Sequence, residues 1–158
     1  MEPVTNVVVR EVLDNDLSVF FDHQRDPIAT EMAAFPTRDR DAFMKHWKGI
    51  LRDPTVVTRT ILADGKVAGN VVHFERDGRL EVGYWIGREY WGRGVATNAL
   101  REFLRQVDAR PLFAGVAKHN TASIRVLEKC GFVVVEEIPA FSAVGDGMIE
   151  GFMMRLDK

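Results

Sequence analysis

Two Asp-Gly pairs, Asp64-Gly65 and Asp77-Gly78, constrain the fold of this chain more than any other feature of its sequence. Asp-Gly accommodates the positive φ that tight two-residue hairpin turns demand. Each pair separates runs rich in β-branched and aromatic residues: TVVTRTILA, then KVAGNVVHFE, then RLEVGYWI. The pattern predicts an antiparallel meander of three strands. In the third run Leu80, Val82, Tyr84 and Ile86 share one face, and Glu81, Gly83 and Trp85 the other, because side chains alternate along a strand. The run stops at Gly87, and a loop carrying Gly92 and Gly94 hands over to a helical pattern.

The flanking segments complete an order of elements. VTNVVVREV (4 to 12) reads as a first strand. Residues 14 to 24 place Leu17, Phe20 and Phe21 at helical spacing, with Asp14 available as a cap, and Asp26-Pro27 ends that helix. Residues 39 to 53 form a second helix, with Phe43, Trp47, Ile50 and Leu51 on one face. After the glycines, Val95, Ala96, Ala99, Leu100, Phe103, Leu104 and Val107 fall on one helical stripe. RPLFAGVAK is a short buried strand. HNTASIRVLEKCGF is a helix that starts at Asn120 and stops at Gly131. GFVVVEEI and MIEGFMMRL are two further strands, separated by the loop PAFSAVGDG. The order is strand, two helices, three strands, helix, strand, helix, two strands.

Size and composition narrow the class. The 158 residues suit one domain with a real core, spanning 1 to 158. The net charge is -2 and like charges do not cluster, which argues against a nucleic-acid partner. The apolar runs are too short for a membrane span. The N-terminus lacks a basic region followed by an apolar core, and the lone Cys130 cannot form an internal disulfide; both fit a reducing cytoplasm. Cys130, next to Gly131, is expected to be a small buried core residue. No Cys/His cluster has metal-ligand spacing, so no metal is expected.

The glycine loop has a chemistry of its own. Without a Cβ, Gly92 and Gly94 let the backbone approach a ligand and adopt unusual φ/ψ. The first amides of a helix have no intrahelical partner and sit at the positive end of its dipole. Together they form a site for an anion such as a diphosphate, and Arg93 adds a positive charge nearby. Two glycines alone would also serve an ordinary helix entry. A Gly-Lys-Ser/Thr ending is absent, which excludes a Walker A loop. Thr97 stands where a dinucleotide fingerprint has its third glycine, which disfavours an NAD enzyme.

The order of elements together with this loop resembles the GNAT superfamily of acyl-CoA-dependent N-acetyltransferases. The family loop is Gln/Arg-x-x-Gly-x-Gly/Ala; here it reads Trp91-Gly92-Arg93-Gly94-Val95-Ala96. Gly94 and Ala96 match, and Trp91 departs from the usual Gln or Arg. The phrase YWGRGVAT looks like the branch of ribosomal-protein-alanine N-acetyltransferases. A second family motif, Asn-x-x-Ser/Ala followed by Glu-Lys-x-Gly-Phe, is present in NTASIRVLEKCGF. The resemblance implies an α/β (α+β) fold: a central mixed, mostly antiparallel seven-stranded sheet with four helices and a splayed cleft between strands 4 and 5. It implies acetyl-CoA as co-substrate and a small-molecule amine or a protein N-terminus as acceptor. Backbone amides from Trp91 through Thr97 (Trp91, Gly92, Arg93, Gly94, Val95, Ala96 and Thr97) would hold the diphosphate. The pantetheine arm would add to the strand edge at Tyr84, Trp85 and Ile86, where a backbone amide could polarise the thioester carbonyl. Those three side chains are equally readable as core. Asn120 would bond the pantetheine amides or cap its helix.

The chemistry requires a neutral amine and a protonated leaving thiol. An α-amine, with pKa about 7.7 to 8, loses its proton more readily than a Lys amine at about 10.4. Glu81 is the best candidate base, on the strand leading into the cleft with apolar neighbours that raise its pKa. It also reads as a solvated residue or as a partner of Arg79 or Arg59, and a water chain can replace it. Glu150 is a weaker candidate base. Many family members place an acidic tyrosine where this chain has Leu127. Ser123, one turn earlier, resembles the serine that some relatives use and is the candidate acid. The acceptor pocket would come from 25 to 38, with Asp26, Glu31, Met32 and Phe35, and from 139 to 147. The missing tyrosine leaves one alternative, a non-catalytic acyl-CoA sensor of the same fold. A homodimer is left open.

Overall fold

In a computed structural model, residues 3–35, 37–141 and 149–158 are described. Seven strands form one sheet in the order β1-β2-β3-β4-β5-β7-β6. In chain order they are β1 (Val7–Arg10), β2 (Val57–Ala63), β3 (Lys66–Arg76), β4 (Arg79–Ile86), β5 (Leu112–Ala117), β6 (Val133–Phe141) and β7 (Ile149–Leu156). Five α-helices are present among the described residues: α1 (Asp16–Gln24), α2 (Pro27–Ala33), α3 (Arg40–Arg52), α4 (Val95–Gln106) and α5 (Thr121–Lys129). A single 3-10 turn, Arg88–Tyr90, follows β4.

The meander forms as its turns dictate. Ala63 pairs with Lys66 and Arg76 with Arg79, so each Asp-Gly pair is a two-residue hairpin loop. Both residues of each turn have positive φ, 47° and 83° at Asp64-Gly65 and 52° and 78° at Asp77-Gly78. That is the type I′ geometry whose twist matches the flanking strands. Asp64 also accepts from the amides of Thr5 and Asn6, which ties the approach to β1 onto the first turn.

Alternation along β3 sends neighbouring residues to opposite faces of the sheet. Val71 joins Val82 on β4, Phe103 on α4 and Leu127 on α5 in one core. Val72 faces the other way, against Leu17, Phe20, Phe43 and Trp47 of α1 and α3. Phe20 and Trp47 pack at a tilt of 46° with centroids 4.9 Å apart, and Phe21 meets Phe43 edge-on at 5.4 Å. Burying each such aromatic side chain contributes about 1.5–3 kcal/mol, so both faces of the sheet are anchored independently.

Four expectations are corrected. The helices number five rather than four, because Asp26-Pro27 both ends one helix and starts another. Pro27 takes the first helical position, where its missing N–H costs nothing, and the Asp26 carboxylate accepts from the amide of Ile28 at 3.1 Å. Asp14 does not cap α1; its backbone carbonyl accepts from Leu17, while the local side-chain bond to Leu13 comes from Asp16. Asp16 is drawn inward by Arg10 at 2.7 Å and by the Thr60 hydroxyl at 2.7 Å. Finally, Pro139–Phe141 belong to β6 rather than to a loop. The rest of that expected loop lies outside the described residues. The first strand is also shorter than 4 to 12: Val4 is buried, but its amide donates to the Arg93 carbonyl at 3.2 Å instead of to the sheet.

Candidate active site

The site arises where the sheet changes direction of pairing. β4 and β5 run parallel, and their pairing is confined to Glu81 opposite Phe113. Beyond that point no strand among the described residues pairs with this edge of β4, and the two strands part. Antiparallel β3–β4 pairing, by contrast, runs the whole length from Arg76–Arg79 to Gly69–Ile86. The result is a cavity of about 460 Å³ at the split. Its walls include Glu81, Gly83 and Trp85 from one face of β4 and Val82 and Tyr84 from the other. A single space therefore passes through the sheet, from the side of α4 and α5 to the side of α2 and α3.

Glu81 lies on the wall of this cavity, 6% exposed. Burial pushes its carboxyl above the usual range, against the lowering influence of the Arg76 and Arg79 charges. Arg76 Nε approaches Glu81 Oε2 at 3.8 Å, a long contact for an ion pair. Arg79 instead pairs with Glu136, and Arg59 bonds Gln106. Glu150 is exposed and engaged with Lys118 at 3.3 Å, and it does not line the cavity.

Ser123 and Asn120 reach the same space from the start of α5. The Asn120 side chain accepts from the Ser123 amide at 3.2 Å, the N-cap bond that its residue type favours. Its Oδ1 is used in the cap, and its NH2 group is the part left to meet a ligand. Ser123 Oγ lies 2.6 Å from the hydroxyl of Tyr84. This contact is what sequence reasoning missed. The sequence expectation gives Tyr84 a backbone role and a ring in the core, but alternation puts its ring on the α5 side of β4, and the pairing across 39 residues of chain delivers its hydroxyl to Ser123. Burial pushes the phenol up to about 12, partly offset by the Ser123 hydrogen bond. The only hint in the sequence was that Tyr84 shared a strand face with Val82 and Ile86.

The glycine loop stands beyond the end of β4 and does not line the cavity. Gly92 and Gly94 have φ of 71° and 80°, the left-handed region that explains glycine at both positions. Gly94 is the N-cap of α4 without any side-chain cap. The amides of Gly92, Gly94, Val95, Ala96 and Thr97 donate to no other part of the described chain. They are the free donors an anion site needs. Trp91 differs from the expectation. Its own amide donates to the Arg88 carbonyl at 3.1 Å, because a 3-10 turn precedes it, and its indole Nε1 donates to the Ile86 carbonyl at 2.9 Å. Trp91 therefore braces the end of β4. Arg93 lies over the Tyr90 ring at 5.7 Å. Ile86 is buried at the end of β4 and does not line the cavity.

On the acceptor side Phe35 and Phe141 line the cavity, as does Arg38, whereas Asp26, Glu31 and Met32 do not. Asp26 pairs with Arg88 at 2.7 Å, and Glu31 is exposed. Cys130 is half-buried rather than a fully buried core residue; burial raises its thiol, and Sγ lies 3.8 Å from the Thr97 carbonyl. Among the described residues no cluster of His, Cys, Asp and Glu is arranged to hold a metal, and no helix is long and apolar enough to cross a membrane.

This geometry agrees with the comparisons. Among curated proteins, the chain is 27% identical over 107 residues to an uncharacterized N-acetyltransferase p20 of Bacillus licheniformis, covering 65% of this chain and 60% of the other. It is 26% identical over 101 residues to the putative ribosomal N-acetyltransferase YdaF of Bacillus subtilis (strain 168), covering 60% and 55%. The matched regions thus span little more than half the length of these curated relatives. Among solved structures, the spermidine N-acetyltransferase from Vibrio cholerae in complex with CoA and spermine superposes with a TM-score of 0.83 at 15% identity, covering 96% of this chain and 95% of that one. The family model for the Acetyltransferase (GNAT) domain matches residues 6–133. On that match, and on the parallel β4–β5 split that carries the cavity, the chain belongs to the GNAT acetyltransferase family.

Proposed function

We propose that the chain transfers an acetyl group from acetyl-CoA to a primary amine by direct attack within a ternary complex. The observation that carries this reading is the cavity through the sheet, whose walls bear both a buried carboxyl, Glu81, and a paired hydroxyl, Ser123–Tyr84. Amide formation from a thioester needs one group to take a proton from nitrogen and another to give one to sulfur. The acceptor is a small-molecule amine or a protein N-terminus.

Free amides at Gly92, Gly94 and Val95 through Thr97 hold the diphosphate, with Arg93 beside them and Trp91 as a brace. The pantetheine arm lies along the unpaired edge of β4, with the Asn120 NH2 group within its reach. A β4 amide near Tyr84 to Ile86 stabilises the charge that develops on the thioester oxygen. As the N–C bond forms, Glu81 takes the amine proton. Its raised pKa makes it a stronger base than a solvated carboxylate. As the C–S bond breaks, Ser123 Oγ gives its proton to sulfur and recovers one from Tyr84 Oη, which solvent then replaces. The hydroxyl of Tyr84 fills the role left empty at Leu127, and this removes the feature that favoured a non-catalytic sensor.

The test is thiol release from acetyl-CoA across a panel of amines, with CoA affinity measured in parallel. Amine-dependent release supports transfer. Tight CoA binding with no amine raising thiol release refutes it and returns the sensor reading.

A further inference from the structure

The wall of the cavity carries a cation with no counter-ion among the described residues. Arg38 follows α2 and precedes α3, is half-buried, and lines the cavity. Among the described residues its guanidinium makes no hydrogen bond and no ion pair; it lies over the Phe35 ring, 5.3 Å from the centroid. Phe35 in turn packs edge-on against Trp85 of β4 at 5.6 Å. Burial lowers the Arg38 pKa from its ordinary value, yet a guanidinium stays charged at any physiological pH. His46 of α3 registers that charge: burial first, and Arg38 second, hold its imidazole below the usual value. A partly desolvated charge without a partner is costly, and here it faces a space built to receive a ligand.

The other charged groups on the walls do not satisfy it. Glu81 is the buried carboxyl beside Arg76, and Glu75 is exposed and makes no ion pair with Arg38. The acidic residues of the same segment are turned elsewhere: Asp26 pairs with Arg88, and Glu31 points out of the cavity. Trp85 adds a buried indole N–H with no acceptor among the described residues. Glu81 and Trp85 share one face of β4, four residues apart, or about 13 Å of strand. Arg38 joins the Trp85 end of that span through the Phe35 ring.

From this arrangement, and resting on the acetyl-transfer reading, we infer that the acceptor is a primary amine that carries an anionic group, with the amine delivered to Glu81 and the anion held by Arg38 across the Phe35–Trp85 wall. Guanidinium binds a carboxylate through two parallel N–H···O bonds. The same wall disfavours a polyamine, whose second cation would meet Arg38.

The experiment compares 4-(aminomethyl)benzoate, benzylamine and spermidine, by calorimetric binding to the CoA-loaded protein and by thiol release from acetyl-CoA. Charge-assisted hydrogen bonds of this kind predict a preference of about tenfold to a hundredfold for the benzoate over benzylamine. Arg38→Gln removes the preference by weakening the benzoate alone, while Arg38→Lys retains part of it. CoA affinity, unchanged in both variants, confirms their folding. Equal binding of the two aromatic amines to the wild type, an unchanged preference in Arg38→Gln, or tighter binding of spermidine overturns the inference. Benzoate-selective binding with no amine of the wider panel raising thiol release upholds the Arg38 site and overturns acetyl transfer instead, so the two failures are distinguishable.

Discussion

Replacing Tyr84 by Phe removes one oxygen and leaves the ring in place. The atom lost is the one 2.6 Å from Ser123 Oγ. As a structural contact, a neutral hydrogen bond is worth about 0.5–1.5 kcal/mol net. For a chain of this size about 1 kcal/mol shifts Tm by roughly 2–4 °C, so the variant should melt about 1–6 °C lower. As a proton source, the contact is worth far more. General acid catalysis contributes about 10²–10⁴-fold, and kcat should fall by about 10² or more with CoA affinity unchanged. Ser123→Ala interrupts the same relay and should fall by a similar factor. The double variant should then be no slower than the slower single one, since two groups acting as a unit do not add. Steady-state kinetics and calorimetric CoA binding on the four proteins complete the cycle. Wild-type kcat in Tyr84→Phe, or losses that multiply in the double variant, would refute the relay. The pH profile supplies an independent check. A phenol pushed up to about 12 adds no falling limb below pH 11, so any such limb belongs to another group.

Three further outcomes follow from the site and its supports. Glu81→Gln should cut kcat by about 10² or more and abolish the acidic limb of the wild-type pH-rate profile, which falls as pH drops through the raised Glu81 pKa; a limb that persists in the variant removes Glu81 from proton transfer. The same variant should be no less stable than the wild type above that pKa, because a carboxyl raised in the fold opposes folding once it is ionised. Gly94→Val should weaken CoA binding at least about tenfold in a protein that still folds. A branched Cβ at φ 80° strains the turn and blocks the approach of phosphates to its amides, and unchanged calorimetric affinity would displace the diphosphate site. Asp16→Ala should cost about 3 kcal/mol, near the lower end for a broken buried pair because the Arg10 side chain is 30% exposed. Burial alone would raise the Asp16 carboxyl, but bonds from Arg10, Leu13 and Thr60 outweigh it and hold it low. Its stabilisation is therefore complete above the unfolded carboxyl value of about 3.9 and lost as pH falls through the lower folded value. Urea titrations from pH 7 to pH 2 should show the variant converging on the wild type at the acidic end.

What could be read in advance was what depends on local rules. The Asp-Gly turns set the meander because two residues of positive φ admit few alternatives, and Gly131 ended α5 at φ 97° for the same reason. The glycine loop was readable because orphan amides at a helix start follow from backbone geometry alone. The extra helix, Pro27–Ala33, was hidden by treating Asp26-Pro27 only as a terminator, although the same pair is a good helix start. Trp91 was misplaced as an amide donor because nothing local announces the 3-10 turn at Arg88–Tyr90 that takes up its N–H. Strand alternation correctly placed Tyr84 on the face opposite Glu81, but the Ser123 contact depends on how α5 docks on the sheet. Arg38 was likewise invisible. Composition drew attention to the acids at 26 and 31, and only tertiary pairing revealed Asp26 on Arg88 and the guanidinium in the cavity.

Burial acts in one direction on the Glu81 carboxyl and the Tyr84 phenol, and the proposed mechanism would use that direction in two ways. Desolvation raises both the Glu81 carboxyl and the Tyr84 phenol, since each is charged in its deprotonated form. For the carboxyl, the rise brings an ordinarily weak base towards the pH at which an amine must lose its proton. For the phenol, the rise would keep the proton in place until a thiolate forms beside Ser123 in the proposed step. The parallel contact at Glu81–Phe113 is where these two environments divide, because it ends the sheet pairing that would otherwise separate the faces. Lengthening that pairing by a residue would close the route between base and acid even if each kept its own surroundings. In the proposed mechanism the split between β4 and β5, more than either residue alone, is therefore what would let Glu81 and the Ser123–Tyr84 pair serve one reaction from opposite faces of the sheet.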